Sequence, residues 1–156
     1  NASIFPDSTI FDVTAKDIQD CVQLHVTAPT LLGQAMWKQE EARQIVHMLD
    51  SKVTGPDDEH HAYHLSKRML GDLTRVMARA FAPRIAVNAI APGPVLPAVH
   101  SDPSRFAALA SSVPMQTTGQ PTDVAAAARY LLDSSFVTGQ TLYVDGGRHL
   151  EGNLYG

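Results

Sequence analysis

Three short apolar runs, each preceded by a segment of helix length, leave this chain few folds to adopt. The runs are Gln44-Ile45-Val46-His47-Met48-Leu49, Ile85-Ala86-Val87-Asn88-Ala89-Ile90 and Thr141-Leu142-Tyr143-Val144. The first two lack the alternation of a strand with one wet face, so they read as strands covered on both sides. The order helix–strand–helix–strand–helix–strand then predicts a parallel α/β sheet with helices on both faces, because parallel strands need long crossovers.

Local signals divide the rest of the chain. Residues 1–13 read as a loop. Thr14, with Asp17 three residues on, is a helix N-cap. The helical pattern that follows runs to about residue 41, and Pro29 predicts two helices meeting near Thr27. The first strand ends at Asp50, and a polar stretch with a Gly55-Pro56 turn covers 51–61. A helix is expected over 62–82, with Leu65, Met69, Leu70, Leu73, Val76, Met77 and Phe81 as its apolar stripe. Pro83 ends it, and Pro92-Gly93-Pro94 stops the second strand. A proline-rich loop, a short helix over 104–112 and a helix from Pro121 to Leu132 lead to the third strand, which ends at Asp145-Gly146-Gly147.

Composition narrows the function. The net charge of −4 comes without any cluster of Lys or Arg, which argues against nucleic-acid and anionic-membrane partners. No apolar run approaches the roughly 20 residues of a membrane-spanning helix. The lone Cys21 cannot form an internal disulfide and fits a reducing cytoplasm. His60, His61 and the acids at 57–59 match no zinc or calcium spacing and read as a solvated loop, so no metal is expected.

The chemistry centres on Tyr63-His64-Leu65-Ser66-Lys67. Four residues apart, Tyr63 and Lys67 share a helix face, and an ammonium near a phenol favours the phenolate. Such a pair alone is more often a solvated face. Its surroundings change that reading: Asp50 lies thirteen residues earlier at a strand end, Pro92-Gly93-Pro94-Val95 follows the next strand, and Val137-Thr138-Gly139-Gln140 leads into the strand that ends at Asp145-Gly146-Gly147. With the opening Asn1-Ala2-Ser3, this series resembles the short-chain dehydrogenase/reductase family in order and spacing over nearly the whole chain.

That resemblance implies a Rossmann-like doubly wound parallel sheet, of which these 156 residues supply the C-terminal, catalytic part. The N-terminal dinucleotide-binding βαβαβ half, with its Gly-rich phosphate loop, is absent from this sequence, and the opening residues are expected to continue from something upstream. It also implies Tyr63 as the proton-transfer residue, with Lys67 holding the nicotinamide ribose. Asn1, Ala2, Ser3, Tyr63, Lys67 and the loop Pro92, Gly93, Pro94 and Val95 are implied cofactor contacts, and Phe5, Asp50 and Tyr63 implied substrate contacts. The family often places a Thr after that loop, where this chain has Leu96-Pro97. A homodimer or homotetramer is implied in the same way.

Departures from the family pattern point to a subgroup. Asp50 stands where the catalytic Ser is usual, and His25 where an Asn is usual. A carboxyl group can relay protons to a substrate with ring nitrogens, although it can equally cap a turn. His25, counted with Tyr63, Lys67 and Asp50 as a candidate catalytic residue, can order a water or a backbone carbonyl, or be a satisfied core histidine. These features, Phe5 and the ending Arg148-His149-Leu150 resemble pteridine reductases and dihydromonapterin reductases. There Phe5 would stack on the pterin, where plain packing is its other reading, and His149 and Leu150 would close the pocket. The implied function is an NADPH-dependent reductase of a dihydropterin, with NADH left open. Two alternatives are a short-chain enzyme for another carbonyl or hydroxyl compound, and a non-catalytic fragment.

Overall fold

The computed structural model describes residues 2–55, 58–97 and 103–151. Helix α1 (Ala15–Val22) starts as expected: the Thr14 hydroxyl accepts from Asp17 N–H and the Asp17 carboxylate accepts from Thr14 N–H. Two α-helices meet near Thr27, as expected, though without a gap between them. One π-helical turn over Gln23–Thr27 joins α1 to α2 (Ala28–Trp37), and the backbone stays right-handed helical through the junction. A wider turn closed by Ala28 N–H on Gln23 C=O absorbs the bond that Pro29 cannot donate. The helix ends at Trp37, earlier than the sequence pattern predicts.

Strands β1 (Gln44–Met48), β2 (Ala86–Pro92) and β3 (Thr141–Val144) pair in parallel in that order, with Ile45 beside Val87 and Ile90 beside Leu142. Central β2 is the most buried: Val87, Ala89, Ile90 and Ala91 are sealed from solvent. Asn88 is equally buried and fully satisfied. Its amide nitrogen donates to Val137 C=O at 2.8 Å and its oxygen accepts from Gln140 N–H at 3.0 Å. It thereby fixes the turn that leads into β3.

Helix α3 (His61–Phe81) covers one face of the sheet, where Leu70, Met77 and Ala78 meet residues of β2. Between β2 and the last crossover lies the short α4 (Pro103–Ala108). Helix α5 (Pro121–Asp133) covers the other face with Ala127 and Leu131 against Ile90. Both faces are thus covered, as the sequence requires. The inward stripe of α3 differs from expectation: Tyr63, Ser66, Lys67, Leu70, Thr74 and Met77 face in, while Leu65, Met69 and Val76 are exposed. The outer edge of β1 pairs with no strand among the described residues.

Candidate active site

In a parallel sheet the loops after the strands gather at one edge, which is where such folds build their sites. Asp50 follows β1, and its two carboxylate oxygens are divided. Oδ1 accepts from Lys52 N–H at 2.8 Å and caps the 3-10 turn Ser51–Thr54, while Oδ2 accepts from the Tyr63 hydroxyl at 3.1 Å. Asp50 thus caps this turn and at the same time holds the Tyr63 hydroxyl.

Tyr63 is 8% exposed. Its phenol is pushed far above the ordinary value by burial first, then by the charge and hydrogen bond of Asp50. The expected lowering by Lys67 does not occur. Lys67 Nζ lies 5.5 Å from the Tyr63 ring centroid and donates to Met48 C=O at 2.8 Å. Burial pulls its ammonium below the ordinary lysine value, with Asp50 opposing. At the phenol, burial and the adjoining Asp50 carboxylate act in the same direction.

His25 sits in the π turn, 2% exposed, edge-on to Tyr63. Ser66 Oγ donates its proton to Tyr63 C=O, so it can only accept from His25 Nδ1 at 2.7 Å. Nδ1 therefore carries the hydrogen, and Nε2 accepts from the Ser3 hydroxyl at 2.8 Å. Burial, aided by Lys67, lowers the pKa of His25 to about 4, so the ring is neutral at pH 7. With both nitrogens spent on serines, His25 is a satisfied core histidine; neither nitrogen is left to order a water.

Phe5 is about half exposed, its edge toward Tyr63 and one face stacked on His60 at 3.6 Å between centroids. His60 Nδ1 donates to Pro6 C=O, which pins the support. The polar-loop reading of His60 is thus corrected: it braces Phe5. Phe5, Asp50, Pro92, Gly93, Pro94 and Leu96 border a cleft of about 400 Å3, a small-molecule size. Gly93 is required there, because a Cβ would meet the Asp145 Cα at 2.7 Å. Val95 lies just beyond, its side chain near Gly119.

The C-terminal turn contributes differently from expectation. Neither His149 nor Leu150 lines the cleft; Arg148 does. The buried Asp145 carboxylate holds the turn by accepting from Gly147 N–H, His149 N–H and His149 Nδ1, which turns His149 onto Tyr143 and away from the cleft. A second hollow, about 260 Å3, lies on the other side of Tyr63–Lys67 and includes Ala2, His25, His47 and Lys67 beside the open edge of β1. Asn1 lies outside the described residues. Sequence reasoning missed Ser66, His60 and Arg148; of these, only Ser66, three residues past Tyr63 on the same helix, left a readable signal. Among the described residues no group of three His, Cys, Asp or Glu could hold a metal, and no helix is long and apolar enough to cross a membrane.

Comparison with known proteins identifies relatives of this chain. A dihydromonapterin reductase of Escherichia coli (strain 536) is 40% identical over 141 residues, covering 86% of this chain and 58% of the relative. The crystal structure of FolM alternative dihydrofolate reductase 1 from Brucella suis in complex with NADP superposes with a TM-score of 0.91 at 33% identity, over 96% of this chain and 62% of that one. The ligand-free aldohexose dehydrogenase of Thermoplasma acidophilum gives 0.86 at 26% identity, over 100% of this chain and 68% of its own. The chain thus spans less than two thirds of the first two relatives. A family model described as enoyl-(acyl carrier protein) reductase, of the short-chain alcohol dehydrogenase type, matches residues 1–149. The chain belongs to the short-chain dehydrogenase/reductase family.

Proposed function

We propose that this chain carries the substrate and proton-transfer side of an NADPH-dependent reductase acting on a dihydropterin-type ring. The observation that carries this reading is the Tyr63 hydroxyl donated to the Asp50 carboxylate at 3.1 Å, beside the supported ring of Phe5. A flat heteroaromatic substrate stacks on Phe5 and presents its C=N bond to Tyr63. A nicotinamide dinucleotide, when bound, would supply the hydride to carbon, and Tyr63 would supply the proton to nitrogen. A phenolate beside an ionised carboxylate is unfavourable, so as Tyr63 gives up its proton Asp50 takes one from solvent in the open cleft and passes it to the phenolate oxygen. His25 acts as a positioning residue, holding Tyr63 through Ser66.

The residues on the far side of Tyr63 fit the cofactor in part. Lys67 is a buried ammonium with three donors, and Met48 C=O takes one of them. The others are available to ribose hydroxyls. Ala2, Ser3 and the loop Pro92–Val95 would border the nicotinamide, with Asn1 joining them by position. The described residues hold no Gly-rich loop to seat a pyrophosphate. A preceding dinucleotide-binding half, with a strand on the open edge of β1, would supply that seat, as the greater length of the relatives supports. NADPH follows from the Brucella relative's NADP. The exposed Leu65, Met69 and Val76 on α3 favour a homodimer or homotetramer, and a cytoplasmic enzyme fits the unpaired, buried Cys21.

The test is NADPH oxidation by the full-length protein that depends on an added dihydropterin and disappears in Tyr63→Phe. No turnover with any pterin would overturn the reading. Similarity to aldohexose dehydrogenase supports a second reading, a carbonyl or hydroxyl substrate. Asp50→Ser separates the two: it lowers pterin reduction in the first case and preserves or raises ketone reduction in the second.

A further inference from the structure

Arg148 is the feature of the cleft that proton transfer leaves unused. It follows Gly146 and Gly147, which have φ of +64° and +88°, so the chain turns sharply at the end of β3. A Cβ on Gly146 would meet the Val113 side chain at 2.9 Å, which fixes the course of that turn. The Asp145 carboxylate then binds the N–H groups on either side of Arg148, at Gly147 (3.0 Å) and His149 (2.7 Å). A further tie runs from the Thr54 hydroxyl to His149 C=O at 3.1 Å, joining this turn to the one that Asp50 caps. The backbone of Arg148 is thus held by three bonds to its neighbours, and its side chain borders the same cleft as Asp50 and Phe5.

Against this ordered backbone, the guanidinium makes no hydrogen bond or ion pair among the described residues. Lys52 and Glu59 also border the cleft, with opposite charges, and each has an interaction of its own. Asp50 is occupied by Tyr63 and Lys52 N–H. A guanidinium offers five donors in a planar fork matched to a carboxylate, and a partly desolvated one without a partner gains most from an anion.

We propose that Arg148 is a specificity residue that binds an anionic tail on the substrate. On this view the site favours a pterin carrying a carboxylate-bearing side chain over one whose side chain is a neutral polyol. The proposal rests on the dihydropterin reading and deepens it.

The test measures equilibrium binding and turnover separately in the full-length protein, for wild type, Arg148→Gln and Arg148→Lys. The binding probes are oxidised pterins that are not consumed: one with a p-aminobenzoyl-glutamate tail and one with a trihydroxypropyl tail. Wild type should bind the carboxylated probe more tightly, and added salt should narrow the gap. Arg148→Gln should weaken the carboxylated probe about tenfold, the usual scale for one charge-assisted pair, and leave the neutral probe unchanged. Arg148→Lys should recover part of the loss. The neutral probe is the folding control, since a misfolded variant loses both. Equal binding of the two probes by wild type, failure to bind the carboxylated probe, or an equal effect of Arg148→Gln on both would overturn the proposal. Selective binding without turnover would instead overturn the reductase reading and leave Arg148 as an anion-binding residue.

Discussion

The two sides of the Tyr63–Lys67 turn are finished to different degrees. On the cleft side every group has a support: Phe5 leans on His60, Asp50 is fixed by Lys52 N–H, and Arg148 rides on a turn held by Asp145. On the β1 side a strand edge is unpaired, Lys67 has spent one donor of three, and an apolar hollow lies open. Substrate recognition needs side chains at fixed points, and one sheet edge with its loops can supply them. Dinucleotide binding needs a long backbone surface with a phosphate cradle, which these elements do not offer. The contrast accounts for described residues that hold a legible candidate proton-transfer pair and no phosphate-binding loop.

The comparison can be broken most decisively at Tyr63. Tyr63→Phe removes the hydroxyl that Asp50 Oδ2 holds and should lower kcat by about 10²- to 10⁴-fold, the range for a lost general acid, while NADPH affinity stays within about twofold. Steady-state rates with a cofactor titration check it; matched losses in both would show that the two sides are not separable. Lys67→Ala should do the reverse, raising the NADPH dissociation constant by at least about tenfold through the loss of a buried charged donor.

Phe5→Ala probes the platform and should raise the substrate KM by about tenfold, since an aromatic contact plus its buried area is worth on the order of 1–2 kcal/mol. The cofactor KM should not move. Asp50→Asn sharpens the electrostatic claim. Because the Asp50 charge and hydrogen bond both raise the Tyr63 pKa, removing the charge should shift the alkaline limb of the kcat/KM profile to lower pH. Burial is the larger cause, so the shift should be partial.

The smallest expected effect is on stability. Burial, aided by Lys67, lowers His25 and His47 to about 4, below the ordinary histidine value near 6.5. Between those values the unfolded chain binds more protons than the folded one, so stability falls as pH drops from about 6.5 towards 4. Unfolding free energies from urea melts at pH 7 and pH 5 should differ by on the order of 1–2 kcal/mol for each of these two histidines, and His47→Gln should remove about half of the difference.

Much of this could be read from the sequence because its signals are local. Strand runs, caps and the i, i+4 pair depend on a few neighbouring residues, and Asp50, Phe5 and Tyr63 do converge. What escaped depends on distances between remote segments. Ser66 gains meaning only because the π turn brings His25 to it across 41 positions. His60 becomes a brace only when residue 5 folds over it, and the choice of Arg148 over His149 is made by the buried Asp145. The inward stripe of α3 was misjudged because polar Ser66, Lys67 and Thr74 are buried there with their partners while apolar Leu65 and Val76 face out.

Asn88 illustrates how such an arrangement restricts later change. Its side-chain amide serves both Val137 C=O and Gln140 N–H from the middle of the central strand. Replacing it with Leu would add apolar bulk to an apolar layer and look favourable by hydropathy. It would also strand two backbone groups, each costing about 1–3 kcal/mol when buried without a partner. Any sequence path toward a more hydrophobic central strand therefore crosses a valley at this position, unless the 137–140 turn is rebuilt in the same step.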